Sequence, residues 1–295
     1  MRRIGVNFSS IQKQRERKQV IRPYIGVTDV ASREQAREFL ATFKKYRSST
    51  STRMFHLGLM MSRKTLRGED SPWAKIFPTK ETISQIFLDD PDVLNVLHYV
   101  DYRKPGAVHL LHDLRDATRF ANAEGTMNGL QLDMTWPEAA AIIAYKRLHP
   151  QVRIILQVGP RAFEEIKHDP RVLFTRLCEY QGSLEYVLLD ESAGKGEPLE
   201  TERLRPFMQS VKKFSEYVMR EYPSPDYEYL PRIAIAGGLG PDTVGLIGPL
   251  LEEFLDLSID AQGKLRPSGD IKEPIDTDFV NKYIEKSFEL FNRYD

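Results

Sequence analysis

From Val20 to the C-terminal end, short apolar runs alternate with longer stretches whose apolar residues recur every three or four positions. The runs are VIRPYIGVT (20–28), MFHLGLMMS (54–62), LNVLHYVDY (94–102), GLQLDM (129–134), RIILQV (153–158), YVLLDESAGKG (186–196), RIAIAGGLGPDTV (232–244) and FLDLSIDAQGK (254–264). Each reads as a buried strand delivering small or polar residues to a loop. The stretches between them read as amphipathic helices. The first has Ser32 as N-cap and Ala36, Phe39, Leu40 and Phe43 on one face. Others are expected from Thr79, over 113–123, from Pro137, over 163–180, 201–220 and 241–250, and over 276–293.

Eight strands alternating with eight helices require parallel strands joined by right-handed crossovers, and eight such units close more naturally into a barrel than into an open sheet. The expectation is a (β/α)8 TIM barrel, a single domain over 20–295, with a doubly wound sheet as the competing architecture. At 295 residues the chain exceeds the ~250 of such a barrel by little more than an extension and a few insertions. In this fold, side chains at the C-terminal strand ends build the active site. The long connections that start at 63, 191 and 261 should therefore lie on the catalytic face, and those at 47 and 222 on the opposite one.

Forty-two basic residues balance forty-two acidic ones, which removes the electrostatic argument for a nucleic-acid or membrane partner and favours a small-molecule ligand. Residues 1–19 form a short basic extension, with six Lys and Arg against Glu16 alone, and carry no apolar core of a secretory signal. No run is long enough to span a bilayer, and the single cysteine, Cys178, excludes an internal disulfide. A cytoplasmic location is expected.

Candidate chemistry clusters in the last three strands. Asp190 closes the run YVLL, so its carboxylate should emerge at the barrel mouth, where partial dehydration suits a general acid. Gly237 and Gly238 let main-chain N–H groups approach an anion without a Cβ in the way, with the next helix adding its positive end. Ser258, at the matching position of the last strand, joins them as a phosphate contact. A phosphorylated small molecule is the expected ligand.

VLLDESAGKGEPLE, IAIAGGLGPDTV and LDLSIDAQGK with the later PSGD resemble the corresponding blocks of phosphoribosylanthranilate isomerase, and PYIGVTD and GLQLDM resemble its first and fourth strands. The resemblance implies an Amadori rearrangement in tryptophan biosynthesis with no metal or organic cofactor. It implies Asp190 as general acid, Asp256 as an acid near the substrate amine, and Gly237, Gly238, Ser258 and Gly196 as the phosphate cradle. Arg63 would contact the anthranilate carboxylate, and Asp133 takes the place of the family's fourth-strand histidine in the substrate site. The family's base, a first-strand cysteine, falls on Ile25, which cannot accept a proton. A carboxylate, Asp260, stands where the family has a glycine near the phosphate, and must point away or pair with Lys264 or Arg266.

Asp29, just past the first strand, is the leading substitute base, with Asp133 and Asp101 as further candidates and a helix cap or loop carboxylate as the alternative for each. His56 and His98 lie within strands and read as structural histidines. His109 and His112 are two ligands at most, and no metal is expected. Cys178 reads as a small core residue of an outer helix. Two functions stay open: an isomerase of a phosphorylated sugar, or a phosphate-binding barrel that has lost this chemistry for a binding role or another reaction.

Overall fold

The structure, a computed structural model, describes residues 20–71, 76–191, 200–223 and 231–294. The basic extension and Gly196 lie outside the described residues. Eight strands, β1 (Tyr24–Thr28), β2 (Met54–Ser62), β3 (Val93–Val100), β4 (Gly129–Asp133), β5 (Arg153–Val158), β6 (Tyr186–Asp190), β7 (Arg232–Ala236) and β8 (Ser258–Ala261), pair in sequence order, all parallel. β8 returns to β1, closing the (β/α)8 barrel.

The pleat sends alternate residues to the axis and to the helical shell. A Cβ on Gly26 would meet the side chains of Asp260 and His56, so Gly26 faces the axis, as do its i±2 neighbours Tyr24 and Thr28. Ile25 and Val27 therefore face the shell. Low in the barrel Tyr24 stacks on His56 at 4.7 Å between ring centroids and meets Tyr186 edge-on at 5.1 Å. These rings plug one end of the axis. Nearer the strand C-termini the axis turns polar, with Thr28, His98, Gln131, Gln157 and Asp260 all buried.

The shell is made by α1 (Arg33–Tyr46), α2 (Arg63–Arg67), α3 (Ala107–Ala121), α4 (Ala139–Leu148), α5 (Pro160–Glu165), α6 (Pro170–Cys178), α7 (Thr201–Glu221), α8 (Gly248–Leu251) and α9 (Thr277–Phe291). Ser32 caps α1 by accepting a bond from the Gln35 N–H, and Ala36, Phe39, Leu40 and Phe43 are its buried face, as the pattern requires. None of the helices among the described residues is long and apolar enough to cross a membrane.

Several elements depart from the sequence pattern. β1 begins at Tyr24 rather than Val20, after Pro23, which has no N–H for a ladder. The helix expected from Thr79 is only a 3-10 turn at Ile83–Gln85. The helix expected over 163–180 is two, because Lys167 and His168 take left-handed conformations and Pro170 starts α6. The last departure matters most for the site: β8 begins only at Ser258. Before it, Phe254 and Leu257 are buried beneath the barrel, and the Arg53 guanidinium donates to the carbonyls of Leu255 (2.9 Å) and Leu257 (2.6 Å) while lying 3.4 Å over the Phe291 ring. That anchorage holds 254–257 as an apolar foot instead of a strand.

Candidate functional site

At the C-terminal ends of the strands, an inner cavity of about 160 Å3 lies beside an outer one of about 550 Å3. Gln157, Asp190 and Gln262 line both. Asp190 therefore stands between the two spaces, as expected for a carboxylate that ends an apolar strand. Its orientation comes from a relay across the axis: the Gln131 amide donates to Gln157 Oε1 (3.0 Å), and the Gln157 amide donates to Asp190 Oδ2 (3.1 Å).

Gly237 and Gly238 form one wall of the inner cavity, with φ of 98° and 68°, a region that disfavours any side chain. The Thr243 hydroxyl donates to the Gly238 carbonyl at 2.6 Å and pins the turn. Gly240 packs without a Cβ against the next loop: one placed there would lie 2.6 Å from Lys264 Cβ and 2.8 Å from the Lys264 carbonyl. This close approach brings Lys264 into the same wall, where it makes no ion pair among the described residues. Beyond the turn lie a 3-10 segment, Val244–Ile247, and the four-residue α8. The anticipated helix dipole is thus absent, and the anion-attracting features are the glycine backbone and Lys264.

Ser258 and Asp256 are placed elsewhere. Ser258 is the first residue of β8, level with Ala234, fully buried, and its hydroxyl accepts the Tyr24 N–H at 3.1 Å. It lies below the mouth and serves the barrel wall. Asp256 precedes β8 on the opposite face, exposed and ion-paired with Arg232 at the start of β7 (2.8 Å). Both shifts come from the late start of β8.

Asp29 does reach the mouth end of β1, in a left-handed conformation (φ 77°), but its carboxylate is sealed. Arg266 pairs with it at 2.7 Å and the Gln262 amide donates to both its oxygens at 3.1 Å. It lines neither cavity, which removes it as a base. Asp101 is likewise engaged, by Arg103. Arg63 starts α2, pairs with Glu69 at 2.6 Å and lines neither cavity. The cation on the outer cavity is instead Arg161, 4.6 Å over the ring of Tyr102. Asp133 does line the outer cavity, accepting the Tyr102 hydroxyl at 2.7 Å, with His98 Nε2 at 3.8 Å.

Both strand histidines face the axis, and among the described residues neither has a hydrogen-bond partner on either ring nitrogen. Burial, and then the neighbouring His98, hold the His56 pKa down at about 3, so it is neutral. Burial opposes a charge on His98 as well, but Asp133, Asp260 and Asp29 outweigh it and leave its pKa above the usual histidine value. Asp260 points to the axis, one inward step above Ser258, and lines the inner cavity. It pairs with neither Lys264 nor Arg266; the Thr28 hydroxyl reaches its two oxygens at 3.1 and 3.2 Å. Sequence reasoning placed Asp260 beside the phosphate and missed its inward aim, which the i, i+2 step from Ser258 would have disclosed had the strand start been known. Away from the mouth, His109 and His112 are exposed on α3, and Cys178 is half-buried, its thiol pKa raised by burial.

No protein-family model matches this sequence, and no curated protein matches it either. Solved structures match its fold. The catalytic domain of a hyperthermophilic chitinase from Pyrococcus furiosus superposes with a TM-score of 0.55 at 11% identity, covering 95% of this chain and 97% of that one. Catalytic-site mutants of active domain 2 of the chitinase from the same organism, in complex with chito-oligosaccharides, give 0.55 at 11% identity over 92% and 95%. At these identities the likeness is one of barrel architecture, a scaffold that hosts many chemistries.

Proposed function

We propose that this barrel is an acid–base isomerase of a phosphorylated sugar, with the Amadori rearrangement of a phosphoribosylated aromatic amine, the tryptophan-pathway reaction of the family it resembles, as its leading activity. The observation that carries the reading is the shared inner cavity: Asp190, in register with Ala236 on the neighbouring strand, lines it together with a glycine turn of positive φ and a Lys264 that has no ion pair among the described residues. A phosphate held at Gly237, Gly238 and Lys264 would leave the sugar ring over Asp190, and the outer cavity would take the amine, between Arg161, Tyr102 and Met60. Asp190, protonated, would donate to the ring oxygen, and its fixed orientation through Gln157 favours that directional transfer.

One observation favours a second reading, a phosphate-binding barrel without this chemistry: Ile25, at the family's base position, faces the shell. The deciding experiment supplies phosphoribosyl anthranilate and follows loss of its fluorescence, comparing the native chain with Asp190→Asn. Turnover that falls at least about a hundredfold in the variant supports the isomerase. Retention of inorganic phosphate without turnover by the native chain would favour the binding protein.

A further inference from the structure

We propose that Asp260 is the general base of this site, the group that removes the sugar C2 proton after Asp190 has opened the ring. The inference rests on the isomerase reading and supplies the half of the chemistry that β1 lacks.

Position comes first. Asp260, Asp190, Gly237 and Gly238 line one cavity of about 160 Å3, so a sugar phosphate seated at the glycines has both carboxylates around the same few carbons. The space for Asp260 is made by Gly26. A Cβ there would stand 2.6 Å from Asp260 Oδ1 and 2.9 Å from His56 Nδ1, so any side chain at position 26 would displace the carboxylate. The resembled family carries its base on the first strand; here the neighbouring strand leans across a glycine of that strand to fill the space.

Surroundings come next. The groups around Asp260 are Tyr24 and Thr28 of β1, His56 of β2, His98 of β3, Gln131 of β4, Asp190 of β6 and Tyr283 of α9. No lysine or arginine pairs with it among the described residues, since Arg266 is spent on Asp29. A carboxylate whose hydrogen-bond donors, Thr28 and Gln131, are neutral, buried but bordering a cavity, retains basicity that a salt-bridged one loses. Burial accordingly raises its pKa to about 6, with Asp190 adding to the rise and His98, Thr28 and Gln131 opposing it. A base with that pKa is ionised at neutral pH and still strong enough to take a proton.

The step balances within the substrate. Asp190 gives its proton to the ring oxygen as the C1–O bond breaks towards oxygen, and the amine lone pair forms C1=N. Asp260 takes the C2 proton, the C–H pair forms C1=C2, and the C1=N π pair returns to nitrogen. The enol hydroxyl then loses its proton as C1 gains one, giving the C2 ketone, and proton exchange resets both carboxyl groups.

The test measures turnover of phosphoribosyl anthranilate by the full chain and by Asp260→Asn and Asp260→Glu, with displacement by inorganic phosphate as a separate readout of binding. The expected result is a loss in kcat of at least about a hundredfold in the Asn variant, with phosphate affinity kept and partial recovery in the Glu variant. The native kcat should fall on the acid side with an apparent pKa near 6, the value to which burial raises Asp260. An Asn variant that turns over like the native chain overturns Asp260 as base and leaves the isomerase standing. A native chain that binds phosphate but does not turn over overturns both.

Discussion

Replacing Asp260 by Asn should stabilise the protein at neutral pH, and the size of the gain can be worked from the site. The carboxyl has an ordinary pKa of 3.8 and is raised to about 6 in the fold, chiefly by burial. A group with a raised native pKa contributes fully below its unfolded value and loses that contribution as pH rises through the folded one, because the native state then holds more protons than the unfolded chain. About two pKa units at 1.36 kcal/mol each make the loss roughly 3 kcal/mol between about pH 4 and pH 7. Asn keeps the size of the side chain and can still accept from Thr28, so its stability curve should lack this descent. Asp260 also helps to raise His98, a group whose contribution declines with rising pH in the same sense, so the comparison is repeated in a His98→Gln background. Urea denaturation of native and Asn proteins at several pH values reads the difference directly. Curves that run parallel, with a gap constant to within about 0.5 kcal/mol across that range, would refute the claim that an anion is forced into this cavity. With the turnover test, the expected pattern is a variant that gains stability as it loses activity, the signature of a destabilised functional group.

The same geometry has other consequences. Gly240→Ala forces the Lys264 backbone away from the glycine turn and should weaken inorganic phosphate binding about tenfold in calorimetry, with the fold kept by circular dichroism; unchanged affinity would remove the loop contact from the cradle. Ile25→Cys should confer no activity on its own, because position 25 faces the shell, and its thiol should resist a thiol reagent in the native state; a gain of turnover would show that residue 25 reaches the site. Arg53→Ala removes two hydrogen bonds and a ring contact at a buried position and should cost on the order of 3 kcal/mol in denaturant, whereas Arg171→Ala, at an exposed ion pair, should leave the midpoint nearly unchanged.

What was legible in the chain depended on how local its cause is. β5, β6 and β7 end where their apolar runs end, so Asp190 and the Gly237–Gly238 pair could be put at the mouth directly. β8 could not be read that way: FLDLSIDA keeps one apolar–polar alternation from Leu255 to Ala261, and what demotes its first four residues is Arg53, some two hundred positions earlier. The one misplaced start carried Asp256 and Ser258 to the wrong end and hid the inward aim of Asp260. Asp29 was similarly opaque, since an acid past a strand looks the same whether free or sealed, and the arginine that seals it is 237 residues away. The long helix expected over 163–180 failed for a local reason that was visible, Pro170, and its split does not touch the site.

The sealed Asp29 has a mechanical consequence. Arg266, which binds it, also donates to the carbonyls of Gln262 and Glu273, so the loop carrying Lys264 is riveted to the end of the first strand across the barrel seam. That wall is set before any ligand arrives. A phosphate docking there would spend little of its binding free energy on ordering the loop, and selectivity at this end would come from a fixed shape instead of closure around the guest.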